Sequence, residues 1–362
     1  MRKVLDTRYE ILYFHVMNYT LDRRLAIAPM MDRTDRHYRY FMRLISRHVL
    51  LYTEMLTTGA ILHGDRERLL GHSEVEHPLA LQLGGSDPEQ LAACARIAAD
   101  MGYDEVNLNI GCPSDRVQSA RFGACLMAEP ALVADCVARM RAGVKIPVTV
   151  KTRTGIDQRD SYGDLVEFVR TVNAAGCNTF IINARKAWLQ GLSPNENRDI
   201  PPLQYATVYQ LKRDFPGLHI SINGGFTSLD QIQSQYAMVD GVMIGRAAYH
   251  DPYLLADADA RIFSDPRAKL SRSDILDGFI SYAMENIERG ISLKHMTRHI
   301  LGLYQGHAGA RAFRRHLSEH AHKPGAGIDI LQRAGVLAQI VEKNIHAQKN
   351  ISAFPVQPDM HS

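Results

Sequence analysis

Eight short β-rich runs recur along the first two-thirds of the chain, at 24–29, 50–54, 79–83, 105–109, 147–151, 178–183, 219–222 and 240–244. Most are apolar throughout, as strands covered on both faces must be, and helical periodicity fills the stretches between them, as in PEQLAACARIAADMG and PALVADCVARMRAG. Eight such alternations over roughly 250 residues predict an α/β fold, a (β/α)8 TIM barrel, rather than an open doubly wound sheet. The polar stretch DPRAKLSRS (265–273) then reads as a linker, and the residues beyond it have helical spacing and no strand candidate. The expected organisation is an N-terminal extension (1–23), a barrel (24–265), a small all-helical C-terminal domain (272–348) and a tail (349–362).

With 46% hydrophobic and 22% charged residues and a mean hydropathy of −0.20, the chain is not disordered, fibrous or a repeat array. No apolar run approaches the roughly eighteen residues a membrane helix needs, and the N-terminus mixes acids into its apolar stretch, unlike a signal peptide. A cytoplasmic protein is expected. The five cysteines are odd in number, scattered and without a C-x-x-C, so neither a disulfide framework nor a metal site is expected. From 286 to 350, ten Lys/Arg face four acids, while the whole chain carries only +3, so the excess positive charge is C-terminal. Either a polyanion held at that end or a solvated helical face accounts for it.

In a TIM barrel the chemistry sits at the C-terminal ends of the strands. Here Asn223-Gly224-Gly225 and Gly245-Arg246 come after the last two strand runs, where loop amides and an arginine suit a phosphate better than a pair of plain turns. Lys151 ends a central strand and could form a Schiff base, bind an anion or make a salt bridge, for instance with Glu54. Gln82 offers a donor and an acceptor to a flat heterocycle, or is a buried amide satisfied by backbone. Cys112, in NLNIGCP, lies on a Gly/Pro-shaped loop beyond a strand, as a nucleophile or proton donor would. Cys94, Cys125, Cys136 and Cys177 read as small buried hydrophobes. The His295/His299 and His316/His320 pairs lack the Glu of H-E-x-x-H and read as surface histidines near RNA phosphate rather than metal ligands.

These segments resemble the tRNA-dihydrouridine synthases, flavin-dependent barrels with a helical C-terminal domain. The likeness runs from about Arg24 to Lys343 through APMMDRTDRHYRYF, HPLALQLGGSDP, GYDEVNLNIGCPSDRVQ, VTVKTRTGID, NARKAWLQGLSPNENRDIPPL, SINGGF, DGVMIGRAAY and GARAFRRHLSEHAHK. ARKAW and SPNENR look like the bacterial subfamily acting on uridines 20 and 20a of the tRNA D-loop. The resemblance implies FMN held by Pro29, Met30, Met31, Gln82, Lys151, Asn223, Gly224, Gly225, Gly245 and Arg246, with NADPH as reductant. It implies Cys112 as proton donor and tRNA contacts from Asn109, Asn195, Arg198, Arg311 and Arg314. A flipped uridine would have its polar edge read by Asn107, Asn109 and Arg185. Asn183 stands where the family usually carries a flavin-contacting His, which implies weaker FMN retention or altered flavin electronics with the reaction unchanged.

The expected function is reduction of the uridine C5=C6 bond, with hydride to C6 and the Cys112 proton to C5, by a monomer acting on tRNA. Two rivals stand beside it. An FMN barrel acting on a free pyrimidine or another small conjugated substrate would not need the basic C-terminal region. A tRNA-binding protein that has lost its chemistry would lack FMN. A Schiff-base aldolase using Lys151 leaves Cys112 unexplained.

Overall fold

The computed structural model describes residues 21–339. Residues 1–20 of the expected extension, 340–348 of the expected helical domain, including Lys343, and the tail at 349–362 lie outside the described residues.

The eight strands are β1 (Leu25–Ile27), β2 (Leu51–Thr57), β3 (Leu79–Gly84), β4 (Glu105–Ile110), β5 (Val148–Arg153), β6 (Thr179–Asn183), β7 (His219–Asn223) and β8 (Gly241–Ile244). All pair in parallel, in the order β1-β8-β7-β6-β5-β4-β3-β2. Ile27 N donates to Leu50 O at 2.9 Å and Leu50 N to Leu25 O at 3.0 Å, which joins the first strand to the second and closes the ring. The TIM barrel expected from the periodicity is the fold observed.

Helices start where local chemistry starts them. Asp87 accepts from Gln90 N at 2.9 Å and Pro88 opens the helix Pro88–Asp100, whose Leu91, Cys94, Ala95 and Ala98 turn inward. Outward-facing strand residues such as Leu81, Leu83, Val106, Leu108 and Val150 meet these helices in one large core.

The inner face of the barrel differs from the expectation of strands apolar on both sides. Ala26, Ala28, Leu50, Tyr52, Ala80, Ile181 and Met243 form an apolar cluster there. Gln82, Glu105, Asn107, Thr149, Ser221 and Asn223 are buried beside them. Polar groups survive such burial only when hydrogen-bonded, and these are: Gln82, Glu105, Asn107 and Thr149 among themselves, Ser221 with His219, and Asn223 with Asn183 and the Met243 carbonyl. In β2 the pairing with β3 slips by one residue, from Tyr52 opposite Ala80 to Met55 opposite Gln82.

After the helix Ala258–Phe263, an irregular stretch leads to Ser271, whose capping box with Asp274 starts the helix Arg272–Glu288. That helix packs on Arg36–Ile45, the first helix after β1. Phe279 meets Phe41 edge-on at 5.7 Å and Tyr282 stacks on Tyr40 at 3.9 Å. Asp35 caps Arg36–Ile45 and also accepts from Arg298 Nη2 at 2.6 Å and His299 Nε2 at 2.9 Å. One continuous apolar core therefore runs from the barrel into the C-terminal helices.

Candidate active site

A single file of hydrogen bonds runs through β3, β4 and β5 to the mouth of the barrel. Glu105 takes Arg23 Nε at 2.6 Å on one carboxylate oxygen and the hydroxyls of Tyr52 (2.6 Å) and Thr149 (2.7 Å) on the other. Asn107 Nδ2 donates to Thr149 Oγ1, Gln82 Nε2 to Asn107 Oδ1, and Asn109 Nδ2 to Gln82 Oε1, each at 2.8 Å. Asn109 Oδ1 then accepts the backbone N–H groups of Gly111 (3.1 Å) and Cys112 (2.9 Å).

Cys112 thus sits on a loop held from several directions. Ala124 N donates to its carbonyl at 2.9 Å, and Arg153 Nε donates to Gly111 O at 2.8 Å. Its half-buried Sγ lies 3.6 Å from Ser114 Oγ. Of the other cysteines, Cys125, expected to be buried, is only half-buried, while burial pushes the thiol of Cys94 up to about 11 and those of Cys136 and Cys177 up to about 12. Their thiolates are strongly disfavoured, as befits packing residues.

Lys151 stands beside Asn109 in register across β4 and β5. Desolvation and then the charge of Arg153 push its ammonium down to about 8, against the pull of Cys112. It makes no ion pair with Glu54. That carboxyl faces the β1 loop instead, where burial and then Asp35 raise it above the ordinary range, and its Oε1 is buried without a partner. Arg153, almost fully buried, also donates to the carbonyls of Lys186 and Asn197, each at 3.1 Å, so it ties the Cys112 loop to the segment at 185–201.

The ends of β6, β7 and β8 form the other half of the mouth. Gly224 and Gly225 have φ of 130° and 83°, a region side-chain-bearing residues avoid. A Cβ on Gly225 would come within 2.7 Å of Tyr205 Oη and 2.9 Å of Leu203, so this loop admits only glycine. Asn183 Nδ2 donates to Asn223 Oδ1 at 3.1 Å, Asn223 Nδ2 donates to Met243 O at 2.7 Å, and Asn183 Oδ1 is buried with no partner. Arg246 comes directly after Gly245 and is held by Asp199. Pro29 and Met30 are half-buried at the end of β1, and Met31 is 56% exposed.

Two sequence-based readings, those of Asn107 and His299, need correction. Asn107 is fully buried with both amide ends committed, so it cannot reach a base edge. Arg185 Nη1 donates to the carbonyls of Asp199 and Pro201, which braces its own segment and leaves its other guanidinium N–H groups outside those bonds. His299 is not a surface histidine: it is 1% exposed and bonded to Asp35. Of the remaining residues, Asn195 and Arg198 lie together on the exposed 195–199 turn, joined at 3.0 Å. Arg311 and Arg314 stand on the solvent side of Ala310–His320, whose Phe313 and Leu317 are buried. Sequence reasoning missed Glu105, Thr149 and Asp199; their partners lie more than forty positions away, and no local pattern marks them.

A polar barrel mouth with a pinned cysteine on one side and a glycine-only loop on the other is a specific arrangement. The family model of dihydrouridine synthases (Dus) matches residues 26–340, nearly the whole barrel and the helices behind it. The chain belongs to the dihydrouridine synthase family. Membership makes it an enzyme, an oxidoreductase of that family. The tRNA-dihydrouridine(20/20a) synthase of Shewanella oneidensis is 60% identical over 328 residues, 91% of this chain and 97% of that protein. The tRNA-dihydrouridine(20/20a) synthases of Vibrio vulnificus and Escherichia coli are each 58% identical, covering 88% and 86% of this chain and 98% and 94% of theirs. Among solved structures, a 2-naphthoyl-CoA reductase complex matches with a TM-score of 0.52 and 13% identity over 67% of this chain and 50% of its own, a likeness of fold. Among the described residues no helix is long and apolar enough to cross a membrane.

Proposed function

We propose that this dihydrouridine synthase reduces the C5=C6 bond of uridines 20 and 20a in the tRNA D-loop, with FMN as its bound cofactor and NADPH as reductant. The observation that carries the reading is Cys112, pinned at the barrel mouth by Asn109 and opposed by the glycine-only loop Gly224-Gly225.

The residues present fit a flavin. The positive-φ glycines at 224–225 bring bare backbone to the strand end, and with Gly245 and Arg246 this suits a phosphate. Lys151 stands nearby with its positive charge and suits a carbonyl edge of the ring, while Gln82 lies buried at the level of Asn107 with both amide ends bonded and supports the mouth from beneath. Asn183 Oδ1 offers one further acceptor, and Pro29, Met30 and Met31 give an apolar wall. Bound FMN supplies hydride to uracil C6.

The conjugated 4-carbonyl of uracil makes C6 electrophilic and leaves C5 to be protonated. Cys112 gives that proton, and the thiolate left behind lies in the field of Lys151 and Arg153 until solvent reprotonates it. The uridine leaves the tRNA stack to reach the mouth. Asn109 retains one N–H for its edge, while Asn195, Arg198, Arg311 and Arg314 hold backbone phosphates. One chain supplies every residue named, so a monomer suffices.

The test is to treat modification-free tRNA with the purified protein and NADPH, then map dihydrouridine. Signal at 20 and 20a is expected. Signal confined to other D-loop positions overturns the positional assignment, and no signal from FMN-loaded protein overturns the reaction.

A further inference from the structure

Glu105 begins β4 at the end of the barrel away from the mouth, roughly 17 Å along the strand from Ile110. It is wholly buried and touches nothing that the proposed reaction uses directly. Its bonds nevertheless decide how the mouth is wired.

A carboxylate can only accept. Arg23 occupies one oxygen of Glu105, and the hydroxyls of Tyr52 and Thr149 must both donate to the other. Thr149 has then spent its single proton, so its oxygen can only accept from Asn107. Asn107 must therefore show Nδ2 to Thr149 and Oδ1 to Gln82. Gln82 must in turn donate through Nε2, leaving Oε1 to accept from Asn109. Asn109 is left with Oδ1 for the backbone N–H of Gly111 and Cys112. A carboxamide is nearly symmetric in shape and would fit either way round. The negative charge at the base of the file and the two backbone N–H donors at its head together remove that freedom at three successive amides, so loss of the base leaves the file held from one end only.

We propose that Glu105 is a positioning residue, which acts through Thr149 and Asn107 to fix which ends of the Gln82 and Asn109 amides face the mouth, and so fixes the loop that carries Cys112. The inference rests on the reading of the mouth given above for the roles of Gln82 and Cys112 there.

Thr149→Val keeps the shape of the side chain and removes both bonds, whereas Thr149→Ser keeps the hydroxyl. Two quantities are measured: the dissociation constant for FMN by quenching of flavin fluorescence, and, in apoprotein, the rate at which iodoacetamide alkylates Cys112, monitored by peptide mass spectrometry. Freeing a chain of buried amides should weaken FMN by about tenfold or more, as one unsatisfied buried group does, and loosen the loop so that alkylation rises about fivefold. Thr149→Ser should stay within about twofold of the parent on both.

A residue that merely packs would lower the melting temperature of Thr149→Val and move neither quantity, and that result overturns the proposal. Should Thr149→Val fail to fold, Glu105→Gln serves, since a carboxamide at the base is no longer obliged to accept; the same two shifts are expected and their absence is equally fatal. Parent protein that takes up no FMN refutes the reading of the mouth instead, and the alkylation comparison still decides the role of Glu105.

Discussion

Asp199 grips Arg246 through two charge-assisted hydrogen bonds, at 3.0 Å to Nη1 and 2.6 Å to Nη2. Arg198 beside it adds its carbonyl to the same guanidinium at 3.3 Å. The arginine proposed for the cofactor phosphate is thus held by the segment that also presents Asn195 and Arg198 to solvent. Burial and then the charge of Arg246 hold the Arg198 guanidinium below its ordinary range. Both members of the Asp199–Arg246 pair are substantially exposed, and such pairs contribute about 0–1 kcal/mol. If Asp199 competes with phosphate, Asp199→Asn should tighten FMN by up to about fivefold, the equivalent of 1 kcal/mol. Fluorescence titration reads this, and weaker binding would mean that Asp199 orients Arg246 for the phosphate.

Removal of the proposed proton donor should separate binding from chemistry. Cys112→Ala is expected to retain FMN and tRNA while single-turnover reduction falls by about 10²–10⁴-fold, the usual contribution of a positioned acid. A variant that reduces tRNA at the parent rate would remove Cys112 from the mechanism.

Lys151 carries a pH signature whose sign is fixed by its lowered value of about 8, against an ordinary 10.5. Between those values the unfolded chain holds a proton that the folded one has lost, so stability rises as pH climbs through that window. Below pH 8 the buried charge is a standing penalty. Lys151→Met should therefore stabilise the apoprotein at neutral pH by up to about 3 kcal/mol, with the gain fading by pH 10.5, and should weaken FMN. Melting curves across pH, with and without FMN, separate the two effects.

Asn183 leaves Oδ1 buried without a donor while Nδ2 bonds Asn223. A histidine there could carry a positive charge toward the cofactor, which an amide cannot. Asn183→His is expected to tighten FMN retention or shift the flavin reduction potential, with the same product. Unaltered affinity, potential and turnover would show that the amide serves equally well.

The junction of barrel and C-terminal helices hangs on Asp35. Burial raises its carboxyl, but the bonds from His299 and Arg298 prevail and hold it well below the ordinary range. Asp35→Ala removes a helix cap and the anion that His299 and the partly exposed Arg298 share, a loss of about 1–3 kcal/mol. Faster proteolysis after the 264–271 stretch is the expected readout. As pH falls below 3.8 the parent should lose the same contribution, because the unfolded carboxyl takes up a proton that the folded one resists.

The barrel was legible because eight apolar runs with helices between them admit few other closures, and each observed strand overlaps the run that announced it. Cys112, Lys151 and the two glycine loops were legible because strand ends are where barrels do chemistry. The wiring between them was not. Asn107 reads from sequence like Asn109, yet one residue-pair step deeper in the barrel it is sealed from the mouth. Glu105 and Thr149 sit in ordinary strand positions, and only their meeting across β4 and β5 gives them meaning. The bonds from Arg185 Nη1 to the 199–201 backbone were likewise invisible in sequence. The break at 265–273 looked like a domain boundary in sequence, yet Phe279 and Tyr282 beyond it cover Phe41 and Tyr40 of the barrel.

The one-residue slip in β2 has a bearing on redox chemistry at the mouth. Had the pairing of Tyr52 with Ala80 continued unbroken, Glu54 would stand opposite Gln82; the extra residue puts Met55 there and turns the carboxyl toward Asp32. A thioether is polarizable and uncharged, so on the proposed reading of the mouth it adds no negative charge beside a bound flavin ring. A single inserted backbone unit thereby exchanges an acid for a neutral sulfur opposite Gln82.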